Sequence, residues 1–361
     1  MNAQPLHTGQ QATSANPPST LTVEAVAAGI RRRVLEHTLR NNGGYLSQAC
    51  SSADILATLY LRVMRLGPSI APLIPRAFAG VPSRDNPNAF TGAGYNGPRA
   101  PELDRFIFSP VHYALVLYAL LIELGRLGPD ALEAFNTDGS TVELIGAEHS
   151  PGHEVTAGSL GQALSQAGGI ALARRLRGET GRVWVFMSDG EFQEGQTWEA
   201  FAALAHHRIG NLGVYIDANA QQCDGPMTDV MTIEPLGDRL RAFGAEVHEV
   251  DGHDSEALAA PALARRDAAG AQQAPADRTG INSPGEDVAL ANVNVTHEAQ
   301  RPIPQPATND RPLVIIARTD PCHGIDLLRE RAPKLHYLRF KTQAEQDAYE
   351  DLLEHWQDSA R

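Results

Sequence analysis

The chain has 361 residues, a formal net charge of −13 at pH 7, and contains 42% hydrophobic and 20% charged residues. These values are typical of a soluble globular protein with one large or two ordinary domains, and the negative charge argues against a nucleic-acid-binding surface. No apolar run reaches the roughly 20 residues that span a bilayer, and the N-terminus lacks a signal-peptide pattern. We therefore expect a cytoplasmic protein with no membrane segment. Three scattered cysteines indicate reduced thiols rather than a disulfide framework or a zinc site.

The first third of the chain predicts a leader, helices and a long loop. Residues 1–20 are rich in Gln, Ser, Thr, Asn and Pro, a composition typical of a disordered leader. Apolar residues at helical spacing predict one helix over 22–39 and a second over 52–60. Residues 68–101 are dense in Pro, Gly and Asn and predict a long irregular connection, which in a compact domain is more often functional than idle. A third helix is predicted over 113–125.

The remainder of the chain alternates predicted strands with helices. Continuous apolar runs predict strands over 182–187 and 212–216, with a helix over 196–207 between them. Two further strands are predicted at 246–250 and 313–317. This alternation predicts an α/β fold with a doubly wound, mostly parallel sheet flanked by helices. Ligands of such sheets bind beyond the carboxyl ends of the strands.

One segment interrupts the alternation. Residues 255–311 are rich in Ala, Pro, Gln, Asn and Asp and show no sustained periodicity, so we expect a low-complexity surface insertion. The predicted α/β domain then comprises residues 21–254 together with 312–345. Residues 346–361 are expected to form a C-terminal helix or tail.

Polar side chains follow two neighbouring predicted strands. Asp189 comes directly after the first strand, in the run SDGE, and Asn219 follows the second strand, in the run DANAQ. Strand, helix and strand together bring the two side chains close. A carboxylate and an amide carbonyl are hard oxygen ligands, suited to Mg²⁺ or Ca²⁺ completed by phosphate oxygens and water. Gly190 lets the backbone approach a diphosphate closely.

Longer motifs surround this pair: FIFSPVH at 106–112, PGHEVTAGSLGQ at 151–162 and EFQEG at 191–195. With the run from Asp189 to Asn219, they resemble the thiamine-diphosphate signature and the transketolase family in particular. The resemblance covers most of the chain from about residue 21 to residue 340, outside the insertion. It corresponds to only the first half of a full-length transketolase. We expect the pyrimidine-binding and C-terminal domains to lie on another chain.

The resemblance implies a binding role for seven residues. Asp189 and Asn219 would ligate Mg²⁺ through their side chains, and Gln221 through its backbone carbonyl. The pocket around the diphosphate and aminopyrimidine of thiamine diphosphate would be shaped by four residues: Gly158, Ser159, Leu160 and Gly190.

It also implies catalytic roles for three residues. His112 would lie beside the cofactor and hydrogen-bond the diphosphate or the reacting sugar oxygen. His336 falls where the family has another active-site histidine. Glu194 matches an interface glutamate that couples paired active sites. Each has a structural alternative, such as a helix-end histidine for His112 or a solvated charge for Glu194.

Three positions depart from the family pattern. Tyr45 replaces a histidine, and at neutral pH a tyrosine is a poor proton shuttle. Val111 and Ala163 each replace a glycine. These changes argue against the ordinary pentose-phosphate substrates and leave cofactor binding intact.

The resemblance implies the diphosphate-binding subunit of a split transketolase-like enzyme, which transfers a two-carbon ketol unit from a ketose donor to an aldehyde acceptor. Its partners would be a C-terminal transketolase-like subunit and a second copy of itself in a heterotetramer, with sugars as substrates. Alone, the chain should be inactive and should expose an apolar patch around Glu194 and the 196–207 helix. Two alternatives remain: the α chain of a 2-oxo acid dehydrogenase, which shares the metal signature, and a noncatalytic cofactor-binding subunit, which Tyr45 and Val111 keep open.

Overall fold

The computed structural model describes residues 21–81, 83–86, 89–271 and 310–359. The expected leader and most of the expected insertion, residues 272–309, lie outside these ranges. The strands are β1 (Arg105–Phe108), β2 (Val183–Ser188), β3 (Leu212–Ala218), β4 (Gln221–Gln222), β5 (Gly225–Pro226), β6 (Glu246–Asp251) and β7 (Leu313–Arg318). The helices are α1 (Val23–Asn41), α2 (Leu46–Thr58), α3 (Ala114–Glu123), α4 (Gln162–Leu176), α5 (Gly195–His206), α6 (Met227–Val230), α7 (Leu236–Ala242), α8 (Ser255–Ala271) and α9 (Gln343–Ser359).

Five parallel strands form the central sheet in the order β1-β2-β3-β7-β6. The two strands β2 and β3 are buried along their whole length, as expected where helices cover both faces of a parallel sheet. Alternate side chains of β2 enter opposite cores: Trp184 and Phe186 pack with α1, α2 and α3, whereas Val185 packs with α4 and α5. This confirms the predicted α/β, doubly wound fold.

The register of the sheet aligns the carboxyl ends of β2 and β3. Ser188, the last residue of β2, pairs with Asp217 of β3. Asp189 therefore lies beside the end of β3, level with Ala218, the residue that precedes Asn219. The sheet itself brings together the polar residues that the sequence placed at the two strand ends.

Residues 255–271 form helix α8, so the prediction of an irregular insertion was wrong for this part of the segment. Leu258, Ala262 and Arg265, spaced as on one helix face, are buried against the sheet. The Tyr215 hydroxyl donates to the Leu258 carbonyl at 2.8 Å, and Arg265 forms an ion pair with Glu246. The alanines that suggested a low-complexity segment are strong helix formers. Few large apolar residues lie among them, so the sequence shows no clear helical periodicity.

The long connection and the C-terminal segment agree with expectation. Between Met64 and Asp104, the described residues contain one short 3₁₀ turn, Gly92–Asn96. Helix α9 begins a little before the predicted C-terminal helix. Within the described ranges, no helix combines the length and apolar character needed to cross a membrane.

Candidate active site

Asp217 is the centre of a buried polar cluster at the carboxyl edge of the sheet, which we call the strand-end cluster. Its carboxylate accepts hydrogen bonds from Ser51 Oγ at 2.6 Å, Thr319 Oγ1 at 2.6 Å, Asn219 Nδ2 at 3.0 Å and the Tyr113 hydroxyl at 3.3 Å. Burial raises the pKa of Asp217. Through these hydrogen bonds, Asp217 connects four parts of the chain: α2, the turn before α3, and the residues that follow β3 and β7. Sequence reasoning did not select Asp217, although it stands two residues before Asn219.

The predicted metal ligands Asp189 and Asn219 lie in this cluster, 4% and 5% exposed. Asp189 Oδ2 accepts from the Ala220 amide at 2.7 Å, whereas its Oδ1 is buried and has no hydrogen-bond partner among the described residues. Burial, reinforced by the neighbouring Asp217 carboxylate, raises the pKa of Asp189 to about 8. Asn219 Oδ1 accepts from the Gln221 amide at 2.9 Å. The cluster thus holds two buried carboxyl groups, one with an unused oxygen.

Glu191 is a further buried carboxyl group, contained in the EFQEG motif but not predicted as a site residue. It accepts from the Ser188 amide at 2.9 Å, from the Gly161 amide at 3.3 Å and from the Ser109 hydroxyl. Ser109 directly follows β1, Ser188 is the last residue of β2, and Gly161 directly precedes α4. Glu191 therefore fixes the PGHEVTAGSLGQ loop against the edge of the sheet.

The predicted cofactor-loop residues Gly158, Ser159 and Leu160 are exposed on this loop. The next residue, Gly161, has φ +82°, and a Cβ there would come within 3.0 Å of Glu194 Cβ. Glu194 is exposed, directly before α5. The loop and Glu194 thus lie side by side on the surface.

His112 and His336, which are 224 positions apart in the sequence, come together in an aromatic cluster. Their ring centroids are 5.3 Å apart, and Tyr45 packs edge-on against both, at 5.4 Å and 5.5 Å. The amide of Gln48 lies 3.1 Å from His336 Nδ1 and donates to the His336 carbonyl at 3.0 Å. His112 precedes Tyr113 of the strand-end cluster, so the two clusters are neighbours.

Burial keeps both histidines of the aromatic cluster neutral. It lowers the pKa of His112 to about 3, with a smaller contribution from His336, and it also lowers the pKa of His336 itself. Each neutral imidazole has one donor and one acceptor nitrogen. Burial likewise raises the pKa of the Tyr45 phenol, which remains a hydrogen-bond donor. The cluster offers neutral hydrogen-bond donors and acceptors.

Among the large exposed apolar side chains of the described residues, none belongs to α5 itself, whereas Leu160 is on the loop beside Glu194 and the Met231 carbonyl accepts from Gln193 at 2.8 Å. The expected apolar patch around Glu194 and this helix stays a prediction. His253 is partly buried: its Nδ1 lies 2.8 Å from Asp54 Oδ2, and its Nε2 accepts from the Asp320 amide at 2.9 Å. Both ring nitrogens are therefore engaged in the folded chain.

A parallel α/β sheet with helices on both faces places this chain in the doubly wound class, whose members bind ligands at the carboxyl edge, where Asp189, Asp217 and Asn219 lie. Residues 93–276 match the family model described as the transketolase thiamine diphosphate binding domain. A putative uncharacterized transketolase family protein of Sinorhizobium fredii is 36% identical over 63% of this chain and 74% of its own length. The chain therefore belongs to the transketolase family.

Other relatives show how much of the family's length this chain spans. The 6-deoxy-6-sulfo-D-fructose transketolase subunit SqwG of a Clostridium species is 30% identical, over 63% of this chain and 74% of that subunit. Human transketolase is also 30% identical, over 63% of this chain and 33% of its own length. A solved transketolase from Pichia stipitis superimposes with a TM-score of 0.61 at 19% identity, covering 93% of this chain and 44% of that chain. This chain spans less than half the length of human transketolase and of the Pichia stipitis transketolase.

Proposed function

We propose that this chain is the diphosphate- and Mg²⁺-binding subunit of a split transketolase-like enzyme, transferring a two-carbon ketol unit from a ketose to an aldehyde. The observation that carries the proposal is the buried Asp189 carboxylate, whose Oδ1 has no partner among the described residues, beside Asn219 at the carboxyl edge. A buried carboxyl group is costly unless it is paired, bonded or coordinated to a metal.

The donors present fit Mg²⁺. The Asp189 carboxylate, the Asn219 amide oxygen and the Gln221 backbone carbonyl would supply hard oxygen ligands, and diphosphate oxygens and water would complete the set. A cation would offset the repulsion from Asp217 that contributes to the raised pKa of Asp189. At Gly190, an added Cβ would meet no protein atom nearer than 3.9 Å, so protein packing does not require glycine there. We assign Gly190 to the close approach of the diphosphate.

The remaining cofactor contacts are assigned to the exposed loop. Gly158, Ser159 and Leu160 would border the diphosphate and aminopyrimidine, and Glu191 holds their loop in place through the Gly161 amide. Thiamine diphosphate supplies the chemistry that cleaves the carbon–carbon bond beside the ketose carbonyl. The protein has to orient the substrates and move their protons.

His112 and His336 are assigned to that task. As neutral imidazoles 5.3 Å apart, they can accept a hydrogen bond from one sugar hydroxyl and donate one to another oxygen. Tyr45 contacts both rings and narrows the space beside them. We assign substrate choice to Tyr45 rather than cofactor affinity.

A partner subunit is part of the proposal. Glu194 and the cofactor loop are exposed in the single chain, although the proposed reaction requires shielding from water. SqwG is named a subunit and matches this chain over 74% of that subunit's length. We propose a cytoplasmic heterotetramer, in which a separate chain supplies the pyrimidine-binding and C-terminal domains and Glu194 lies at a subunit interface.

Reconstitution tests this proposal. The chain is purified alone, and with a chain from the same organism that carries the missing domains, and ketol transfer is assayed with thiamine diphosphate and Mg²⁺. We expect transfer only with the partner. Full activity of the isolated chain would contradict the split-enzyme proposal. Decarboxylation of a 2-oxo acid by the pair would instead favour the 2-oxo acid dehydrogenase alternative.

A further inference from the structure

Gln48, in the first turn of α2, holds one of the two histidines of the aromatic cluster. It is 2% exposed. Its Nε2 donates to the His336 carbonyl at 3.0 Å and lies 3.1 Å from His336 Nδ1, and its Oε1 accepts from the Ser47 hydroxyl at 3.0 Å. Sequence reasoning did not select Gln48, because its partner is 288 residues away in the chain.

The His336 carbonyl determines which way the Gln48 side chain faces. A carbonyl oxygen only accepts hydrogen bonds, so the atom 3.0 Å from it has to be the amide nitrogen of Gln48. The amide oxygen at that position would face a second oxygen with no hydrogen between them. The amide nitrogen has two hydrogens, and the carbonyl engages one of them. The other is left for His336 Nδ1.

This orientation determines the tautomer of His336. The Gln48 amide nitrogen only donates, so Nδ1 has to be the acceptor in the contact between them. Burial lowers the pKa of His336, and a neutral imidazole carries a single ring proton. That proton is therefore on Nε2. Nε2 forms no hydrogen bond with the described residues and is not among their buried unpartnered atoms, so a ligand can reach it.

The backbone on both sides of His336 is fixed to the same part of the chain. The Ser47 hydroxyl also donates to the Leu335 carbonyl at 2.8 Å. Leu338 exchanges two hydrogen bonds with Gly44, at 3.1 Å and 2.9 Å. With its backbone held and its Nδ1 bonded, the His336 ring cannot exchange its two nitrogens without losing hydrogen bonds. The Nε2–H group is therefore presented in a fixed direction.

His112 lacks this constraint. Its contacts within the described parts of the chain are ring packing against Tyr45, Tyr113 and His336, and neither of its ring nitrogens has a hydrogen bond there. Either nitrogen can carry its proton, so a bound ligand can select the tautomer. Of the two histidines, only His336 has its donor nitrogen determined by the protein.

We propose that Gln48 is a positioning residue, which fixes His336 as the Nε2–H tautomer so that His336 donates a hydrogen bond to a substrate oxygen and His112 accepts one. The identity of the substrate as a sugar rests on the proposed function. An N–H group held in advance toward an oxygen that gains negative charge stabilises the transition state more than the bound substrate. Gln48 therefore affects turnover more than binding of the sugar.

Nuclear magnetic resonance measures the tautomer without any turnover. Proton–nitrogen correlation spectra of the folded chain, prepared with isotope-labelled histidine, show which ring nitrogen is protonated, and the His336→Asn variant assigns the signals. We expect a protonated Nε2 in the wild type and in the control Gln346→Met, which removes a side-chain amide from α9. In Gln48→Glu a carboxylate faces Nδ1, so we expect Nδ1 to be protonated.

Two results of that measurement would overturn the proposal. One is a wild-type His336 protonated on Nδ1. The other is a folded Gln48→Glu chain in which Nδ1 remains unprotonated, with circular dichroism as the check of folding. If Gln48→Glu does not fold, the wild-type spectrum alone decides the tautomer.

Turnover with the partner present distinguishes a positioning residue from a structural one. Gln48→Met keeps the length of the side chain and removes the donor. We expect kcat to fall about tenfold, with the KM of the ketose and thiamine diphosphate affinity nearly constant, and no change in Gln346→Met. An unchanged kcat, or a loss of cofactor affinity as large as the fall in kcat, would overturn the positioning role. Absence of ketol transfer in the wild-type pair would instead reject the proposed function, and the spectra would still decide the tautomer.

Discussion

The strand-end cluster differs in construction from a surface pocket lined by Arg331, Lys334, Arg339 and Lys341, the basic pocket. In the strand-end cluster, Asp189, Asp217 and Asn219 are at least 95% buried and leave the sheet at positions fixed by strand register. In the basic pocket, Lys334 and Arg339 are exposed on a segment whose place depends on pairing with Gly44. Substitutions should therefore disturb the fold far more in the buried cluster than in the exposed pocket.

The largest expected effect is on stability at the strand-end cluster. Asp217→Ala leaves four donors, including Ser51 and Thr319, without their acceptor, which should lower the free energy of unfolding by about 3 kcal/mol. Chemical denaturation measures it, with the exposed Asp229→Ala as the control. If Asp217→Ala and Asp229→Ala were equally stable, the cluster would not organise this edge of the sheet.

Cofactor binding should depend on Asp189 while stability does not. Asp189→Ala removes a proposed metal ligand, so we expect thiamine diphosphate affinity to fall by roughly tenfold to a hundredfold, or 1.5–3 kcal/mol. Because the carboxyl group is buried with one unused oxygen, its loss should leave the unfolding temperature unchanged or raised. Calorimetry with the partner and a thermal melt measure the two quantities. A variant that binds as tightly as the wild type would refute the metal assignment.

The difference between the two regions also explains how far the sequence could predict them. The positions of Asp189 and Asn219 at the ends of neighbouring strands were predictable because each directly follows a buried strand, a local signal. The role of Asp217 depends on Ser51, 166 residues away in the sequence, and on Thr319, 102 residues away, and no local pattern shows such partners. The basic pocket likewise depends on the pairing of Gly44 with Leu338. The α8 helix was missed because its buried residues are sparse among alanines.

The aromatic cluster should make stability depend on pH. The pKa of His112 is lowered from 6.5 to about 3 in the folded chain, so its stabilising contribution is complete above pH 6.5 and falls as the pH falls toward 3. At pH 5 the loss should be about 2 kcal/mol, since each pH unit in this window is worth about 1.4 kcal/mol. Denaturation at pH 7 and pH 5 should show a smaller loss in His112→Asn, and an unchanged loss in the exposed control His206→Asn. The same pH dependence in all three proteins would contradict this account of His112.

Substrate choice should change at Tyr45 by a smaller factor. Tyr45→His restores the residue type that the family resemblance implies and alters the space beside His112 and His336. We expect the relative kcat/KM of different ketose donors to change severalfold, or about 1 kcal/mol, with cofactor affinity nearly constant. Steady-state kinetics with at least two donors measures it. An equal loss for every donor, accompanied by weaker cofactor binding, would show that Tyr45 is structural.

The smallest effect should be the stability change at the basic pocket. Lys334→Gln/Arg339→Gln removes two exposed charges from a like-charged surface, so the free energy of unfolding should stay within about 0.5 kcal/mol of the wild type. Chemical denaturation of this variant beside Asp217→Ala compares the two regions directly. A loss as large as that of Asp217→Ala would mean that the pocket residues support the fold.

Removal of Mg²⁺ tests the central proposal most directly. Thiamine diphosphate is titrated into the chain with its partner in Mg²⁺, after treatment with excess EDTA, and after Mg²⁺ is returned. Because the proposed ligands are oxygens facing a diphosphate, we expect binding in Mg²⁺, no measurable binding after EDTA, and full recovery on adding the metal back. Thiamine diphosphate binding of equal affinity with and without EDTA would contradict the assignment of a metal-dependent diphosphate site to Asp189 and Asn219.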